Sequence, residues 1–209
     1  TFGGAVTATT LTLTDTTAAA DITFQGDLVA TTLTSTATSA YDVQFDENVT
    51  ITNDVDFGAI GTLTIGTADD DVATFTGGVD ATSATGTVTL AGAINTVGTA
   101  MDFGAVTLAD GTTFDTGNAA AGTIVVGDIT TATNEVSFDS GSTAGATIGV
   151  GAIADLTGGL TLVDAGGLAT FGALGQGTTG DITVTDSSAG VTFGGAVTAT
   201  TLTLTDTTA

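Results

Sequence analysis

The sequence predicts an all-β fold, a parallel β-solenoid with coils of about 20–24 residues, and three observations carry that reading. First, the chain repeats itself at a short offset: Thr1 to Thr16 and Thr23 to Thr38, offset by 22, agree at 10 of 16 positions. Second, apolar and polar residues alternate inside each unit, the mark of a half-buried strand. Third, 52 of 209 residues are Thr and only 8 are Ser. Thr, Val and Ile are stiff at the first side-chain torsion and suit a pleated surface, whereas a polar linker would use Ser as freely.

The alternating runs follow one another along the chain: Leu11 with Leu13, Leu63 with Ile65, Val88 with Leu90, Leu160 with Leu162, Ile182 with Val184, and Leu202 with Leu204. Between them lie corners marked by Gly3-Gly4, Gly77-Gly78, Gly158-Gly159, Gly166-Gly167 and Gly194-Gly195. No segment combines helical spacing with start and stop signals. Two or three short strands per unit make one coil, and equal positions of successive coils stack into columns.

The Phe residues precede corners, as in Phe2-Gly3, Phe57-Gly58, Phe103-Gly104, Phe171-Gly172 and Phe193-Gly194, and are expected to stack in the core. Their phase is irregular, since Phe57 follows Phe45 at a short interval and Phe171 follows Phe138 at a long one. Insertions at corners, or two Phe columns on different faces, both explain this. TFTGGVDAT at Thr74–Thr82 matches Thr1–Thr9 at 6 of 9 positions, and DFGA recurs at Asp56 and Asp102; the offsets of 73 and 46 are taken as near multiples of a 22–24-residue coil.

A longer repeat encloses the short one. Thr1–Ala18 recurs without change as Thr192–Ala209 at an offset of 191. Residues 1–191 are therefore read as one long repeat of stacked coils, nine in number with a period of about 21, and 192–209 as the start of the next identical repeat. The next repeat is expected to continue the same stack without a linker.

Units such as VTFGGAV at Val191–Val197, LTLTD at Leu11–Asp15 and ITVTD at Ile182–Asp186 resemble the repetitive β-strand regions of giant secreted bacterial surface proteins. These are the filamentous-haemagglutinin-like and autotransporter-like adhesins, and the resemblance covers the whole chain in style. It implies an extracellular, cell-surface location and a structural role as fibre, stalk or sheath. The segment is expected to be non-catalytic, and because it has no Pro, Lys or capping element to blunt its strand edges, it is expected to associate with other copies of itself, end to end or laterally.

Composition narrows the chemistry independently. The chain has no Lys, Arg, His, Pro, Cys or Trp and carries 23 acidic residues, a formal charge of -23. Phosphate neutralisation needs cationic side chains, so non-specific nucleic-acid binding is excluded. Cys or His zinc sites, thiolate nucleophiles and a His general base are absent with their residues. Carboxylate pairs raise glycoside hydrolysis, but no cationic side chain or Trp is present to hold a sugar, and the chain is read as no enzyme. No 18-residue apolar run exists, so membrane insertion of this segment is not expected. At 42% hydrophobic, the chain still has the apolar surface that acidic disordered sequences lack.

Stacking makes the acids a polyelectrolyte. Nine coils at about 4.8 Å span roughly 43 Å, and 22 acids in residues 1–191 give about one charge per 2 Å, close to the value of about 1.7 Å for duplex DNA. Divalent cations, calcium above all, are the expected partners of such oxygen ligands. The candidate ligands are Asp69, Asp70 and Asp71, then Asp46 with Glu47, then Asp54 with Asp56; solvated turn acids explain the same residues. None forms an EF-hand or a calcium β-roll nonapeptide.

An alternative use of the same coils is an adhesive or ice-binding surface. The pairs Thr12/Thr14, Thr34/Thr36, Thr62/Thr64, Thr87/Thr89, Thr183/Thr185 and Thr203/Thr205 suggest a Thr ladder, interrupted between Thr89 and Thr183. Outward Thr is also what strand propensity supplies. Asn48-Val49-Thr50 forms one glycosylation sequon, which an ordinary turn Asn equally explains.

Overall fold

The structure is a computed structural model and describes residues 1–14, 20–36, 40–130 and 132–207, with the side chain of Thr178 left aside. The tails of both copies of the long repeat, residues 15–18 and 208–209, lie outside the described residues. No described residue is helical, and parallel strands stack as a β-solenoid of about nine coils. The β-branched composition and the Gly corners thus produce the predicted fold class.

Each coil turns through three faces, termed I, II and III in chain order. Face I carries Val49–Ile51, Val136–Gly141, Leu160–Ala165, Asp181–Asp186 and Thr201–Asp206, and the strands Val6–Thr14 and Leu28–Thr36 begin on it. Face II is a seven-stranded sheet running from Val55–Asp56 to Val191–Phe193. Face III begins with Asp21–Phe24, Asp42–Phe45 and Leu63–Ile65. Strands Val88–Asn95 and Val106–Asp115 bend from face III to face I without a break, which merges those faces into one thirteen-stranded sheet.

The registers define inward columns. On face I the column is Val6, Leu28, Val49, Ala73, Ile94, Phe114, Phe138, Leu162, Val184 and Leu204. From Val6 to Leu204 the numbering advances by 198 in nine steps, so the mean step is 22. Individual steps range from 20 to 24 on this face, because loops lengthen or shorten at the corners. On face II the column is Val55, Val79, Met101, Ile124, Ile148, Ala169 and Val191. On face III it runs through Ile22, Val43, Leu63, Val88, Val106, Ile129, Ile153, Leu174 and Val197.

These columns are the core. Leu63, Ile65, Leu90, Phe114, Phe138, Leu162 and Ile182 are fully buried. Full burial of such a side chain contributes about 1.5–3 kcal/mol. Eight of the ten Phe residues are buried in the core, as expected, while Phe193 is partly buried and Phe2 exposed, and together they occupy all three faces. Phe2, Phe24 and Phe45 stack on face III at 4.8 and 5.3 Å, Phe114 on Phe138 on face I at 5.1 Å, and Phe171 near Phe193 on face II at 6.1 Å. The short interval from Phe45 to Phe57 is therefore a change of face, since Phe45 pairs within face III and Phe57 follows the face II strand Val55–Asp56.

A single corner motif explains the irregular phase: an inward Phe ends one face, and an inward aliphatic residue four positions later begins the next. Phe2 to Val6 and Phe24 to Leu28 turn from face III to face I. Phe75 to Val79 turns from I to II. Phe193 to Val197 turns from II to III. The offset between Thr1–Thr9 and Thr74–Thr82 is thus three coils and one face, not a whole number of coils.

The same holds for the long repeat. Val6 lies on face I, whereas its copy Val197 lies on face III, and Leu202 lies on face I. Leu11, the first-copy equivalent of Leu202, pairs with Leu33 on the strand whose end meets face II through the Ser35 hydroxyl and the Phe57 carbonyl, 2.6 Å apart. At the mean coil length the offset of 191 is eight coils and two faces, which replaces the expected nine shorter coils.

Candidate functional site

With the apolar positions turned inward, whatever the shaft presents must come from the outward ranks. On face III the rank reads Thr23, Gln44, Thr64, Thr89 and Thr107, and the Thr107 hydroxyl meets that of Thr130 at 2.7 Å. On face I the rank is Thr113, Ser137, Thr161, Thr183 and Thr203. Thr89 and Thr183, which bound the gap in the sequence pattern, lie on different faces: Thr107 continues the face III rank from Thr89, while Thr113, Ser137 and Thr161 lead to Thr183 on face I. Thr64 does stack beneath Thr89, joining the pairs Thr62/Thr64 and Thr87/Thr89 in successive coils. Thr12 and Thr14 stack in register on Thr34 and Thr36, and Thr185 and Thr205 follow Thr183 and Thr203 on their strands, whereas beside Thr113 and Ser137 of the face I rank stand Asp115 and Asp139.

That acidic rank went unseen in the sequence. Asp115 pairs in register with Asp139, Asp139 with Asp164, and Asp186 with Asp206. Asp186 is also the neighbour whose charge acts most strongly on Asp164. A shorter rank, Asp56, Asp80 and Asp102, lies on face II. Neighbours in a rank sit one strand apart, about 4.8 Å. The signal was present, because an Asp follows an inward Phe at Phe114-Asp115 and Phe138-Asp139. Unequal steps between Asp115, Asp139, Asp164, Asp186 and Asp206 hid the alignment.

Individually, these carboxylates hold corners. Asp56, Asp115 and Asp139 accept the amides of Gly58, Gly117 and Gly141 two positions on, at 2.6, 2.6 and 2.9 Å. Asp80 accepts both the amide and the hydroxyl of Thr82. Asx turns of this kind stabilise a bend with a local acceptor. Asp128 and Asp42 instead accept amides of the adjacent coil, from Ala152 at 2.8 Å and Thr62 at 2.6 Å.

The seven carboxylates nominated from sequence are dispersed. Asp71 is buried and accepts the amides of Thr67 and Ala68 at 2.7 and 3.0 Å, while Asp69 and Asp70 are exposed. Asp69 reaches the lining of an open cleft of about 300 Å³ that also holds Glu135, Thr113 and Ser137. Asp46 accepts from the Gln44 amide, Glu47 and Asp54 are exposed, and Asp56 belongs to the face II rank. Among the described residues no three acids converge as a metal-binding group. Asn48 is exposed but engaged: its carbonyl accepts the Val72 amide at 2.9 Å and its amide donates to Asp27 at 3.2 Å.

Stacking perturbs the ranks. Burial, then the charges of Asp186 and Asp139, push the Asp164 carboxyl up from its ordinary value, and its Oδ1 is buried with no hydrogen-bond partner. Asp139 is raised by burial and by Asp115 against the opposing Gly141 amide, and Asp102 by burial and Asp80. A carboxyl with a raised folded-state pKa takes up its proton more readily folded than unfolded. The penalty is complete well above the folded pKa and is relieved as pH falls through it towards 3.8. Melting temperature should therefore rise on acidification from pH 7 towards about 4, the reverse of ordinary acid denaturation. Asp164→Asn should raise it at pH 7 and do little near pH 4. Dilute circular-dichroism melts check this, and a monotonic fall in both proteins on acidification would exclude it.

Comparison with known proteins leaves the geometry to speak for itself: no family model matches the chain, and neither a curated protein nor a solved structure matches it significantly.

Proposed function

We propose that the chain is a structural segment of an extracellular fibre, stalk or sheath on a bacterial surface, without catalytic activity, that assembles with copies of itself. The observation that carries this reading is the unbroken face I column from Val6 to Leu204, in which every coil rests on the one before. Such a stack is a spacer whose length follows coil number, because each unit contacts only its neighbours. The resemblance to adhesin shafts supports the same role and location. Paired Thr rows span two coils where Thr12 and Thr14 stack on Thr34 and Thr36, but Asp115 and Asp139 stand beside Thr113 and Ser137 farther along, which leaves the adhesive or ice-binding reading less support.

Divalent cations are the partners this reading assigns to the acidic ranks, held between carboxylates one strand apart and between neighbouring shafts. The test is solution scattering of the chain and of a two-repeat version, in sodium and in calcium at matched ionic strength. A rod that lengthens with repeat number is expected in both, with lateral association in millimolar calcium alone. Two compact bodies on a flexible tether would refute the shaft, and identical curves in the two salts would remove calcium from it.

A further inference from the structure

Charge is unevenly spread around the shaft. From coil to coil the outward rank of face II reads Asp56, Asp80, Asp102, Val125, Gly149, Thr170 and Thr192, so its acids stop at Asp102. Residues 116–127, 140–154 and 165–180 form the next three strands of this face with the corners beside them, and they contain no ionisable side chain. Between Asp128 and Asp206 the six acids are Glu135, Asp139, Asp155, Asp164, Asp181 and Asp186. All six lie on face I, at the end of face III or at the corner between them. The uncharged part of face II is apolar where it protrudes, with Val125 44% and Leu168 43% exposed. Both belong to interior coils with strands stacked on either side, so their exposure is a property of the face and not of a chain end. At Gly149 nothing lies within 4 Å of the Cβ position, and the face steps down between Val125 and Thr170.

We infer that this uncharged part of face II seats the same surface of a second copy, the two shafts lying antiparallel about Gly149. A chain whose side chains carry 23 negative charges and no positive one repels its own copies wherever acidic ranks meet. Contact is favoured where neither surface brings a carboxylate, and burial of Val125 and Leu168 then supplies the gain. Orientation follows from the same asymmetry. Parallel and in register, Asp102 would stand against Asp102 and Asp80 against Asp80. Antiparallel about Gly149, Val125 meets Thr170 of the second copy and Asp102 meets its Thr192, so no carboxylate between Asp102 and Thr192 faces another. The contact is isologous, each pair occurring twice. It measures about 20 Å along the shaft and about 10 Å across, roughly 200 Å², well below the standard of about 800 Å² per partner. One contact is therefore weak, and shafts of many repeats hold together by adding such contacts. This inference rests on the shaft reading and names the surface through which shafts lie side by side; divalent cations on the flanking acids lower the repulsion that opposes it.

The chain has no Cys, so single cysteines report the contact. The reagent is a bis-maleimide whose span matches the sheet-to-sheet spacing of about 10 Å, applied to dilute protein in millimolar calcium. Gly149→Cys, at a position open to a side chain and without positive φ, should give a covalent dimer. Val125→Cys and Thr170→Cys should each stay monomeric alone and give a dimer when mixed, because the antiparallel register sets them opposite each other. Thr50→Cys, exposed on face I, should stay monomeric. Adding Val125→Asp to Gly149→Cys should remove the dimer and leave the β-sheet spectrum unchanged, since Val125 is exposed. A dimer of Val125→Cys alone, or a Gly149→Cys dimer that survives Val125→Asp, overturns the proposed contact. Absence of the Gly149→Cys dimer also overturns it, and rod scattering with lateral association in calcium would then leave the shaft and its cations standing. Absence of the dimer together with retention of the chain on a neutral polysaccharide such as cellulose, lost in Val125→Asp, would give this face to a glycan instead.

Discussion

Phe138→Ala is expected to cost about 3–5 kcal/mol, the range for emptying a buried aromatic site, and to lower the melting temperature by on the order of 10 °C for a chain of this length. Phe138 is fully buried, lies 5.1 Å from Phe114 at 6° and meets Phe171 edge-on at 5.8 Å. Its ring thus spans three levels of the stack, and the cavity would open between coils that have no other neighbours. Phe138→Leu, which keeps most of the volume, should recover most of the loss. Phe2→Ala is the internal control, since Phe2 is 46% exposed at the end coil. Thermal melts of the three variants decide the matter. Equal losses for Phe138→Ala and Phe2→Ala would mean that the ring column is not packed as described.

Gly92→Ala is the second large effect. Gly92 bends the strand Val88–Asn95 from face III onto face I with φ of 74°, and the register of that strand against Val106–Asp115 shifts at the same point. A Cβ there would overlap the carbonyl oxygen of Asp71, which accepts the Ala93 amide at 2.8 Å. Backbone strain alone costs about 1–3 kcal/mol, and parting the two corners breaks the hydrogen bond as well. A total of about 3 kcal/mol or more is expected. Gly149→Ala supplies the contrast, because nothing lies within 4 Å of its Cβ position and its φ is not positive. That substitution should stabilise by about 0.4–1 kcal/mol through the unfolded chain. Denaturant titrations of both variants should shift in opposite directions; a shared direction would mean that the corner geometry is misassigned.

The fold was readable because strand alternation and stacking leave local marks. Leu63/Ile65, Leu160/Leu162 and Ile182/Val184 all turn inward as their spacing requires. The three-face geometry was not readable, for a physical reason. A Phe followed four positions later by Val makes the same corner wherever it falls, so the motif at Phe75-Val79 and that at Phe2-Val6 are alike in sequence and different in place. Adjacent carboxylates misled in the opposite sense. Asp69, Asp70 and Asp71 are neighbours in the chain, but Asp71 turns in to hold the amides of its own bend while the other two face solvent. Asp115 and Asp139 are neighbours in space and a full coil apart in sequence.

The parallel registers also fix how the shaft answers tension. Hydrogen bonds between coils run along its axis, so a pull from end to end loads them coil after coil, as in opening a zip, and never shears a whole sheet at once. Each coil that yields releases its whole length of chain, about 70 Å when extended, from a layer only about 4.8 Å thick. The molecule would then lengthen in equal increments under a steady, modest force while the coils still closed kept their grip, a tether that gives ground without parting.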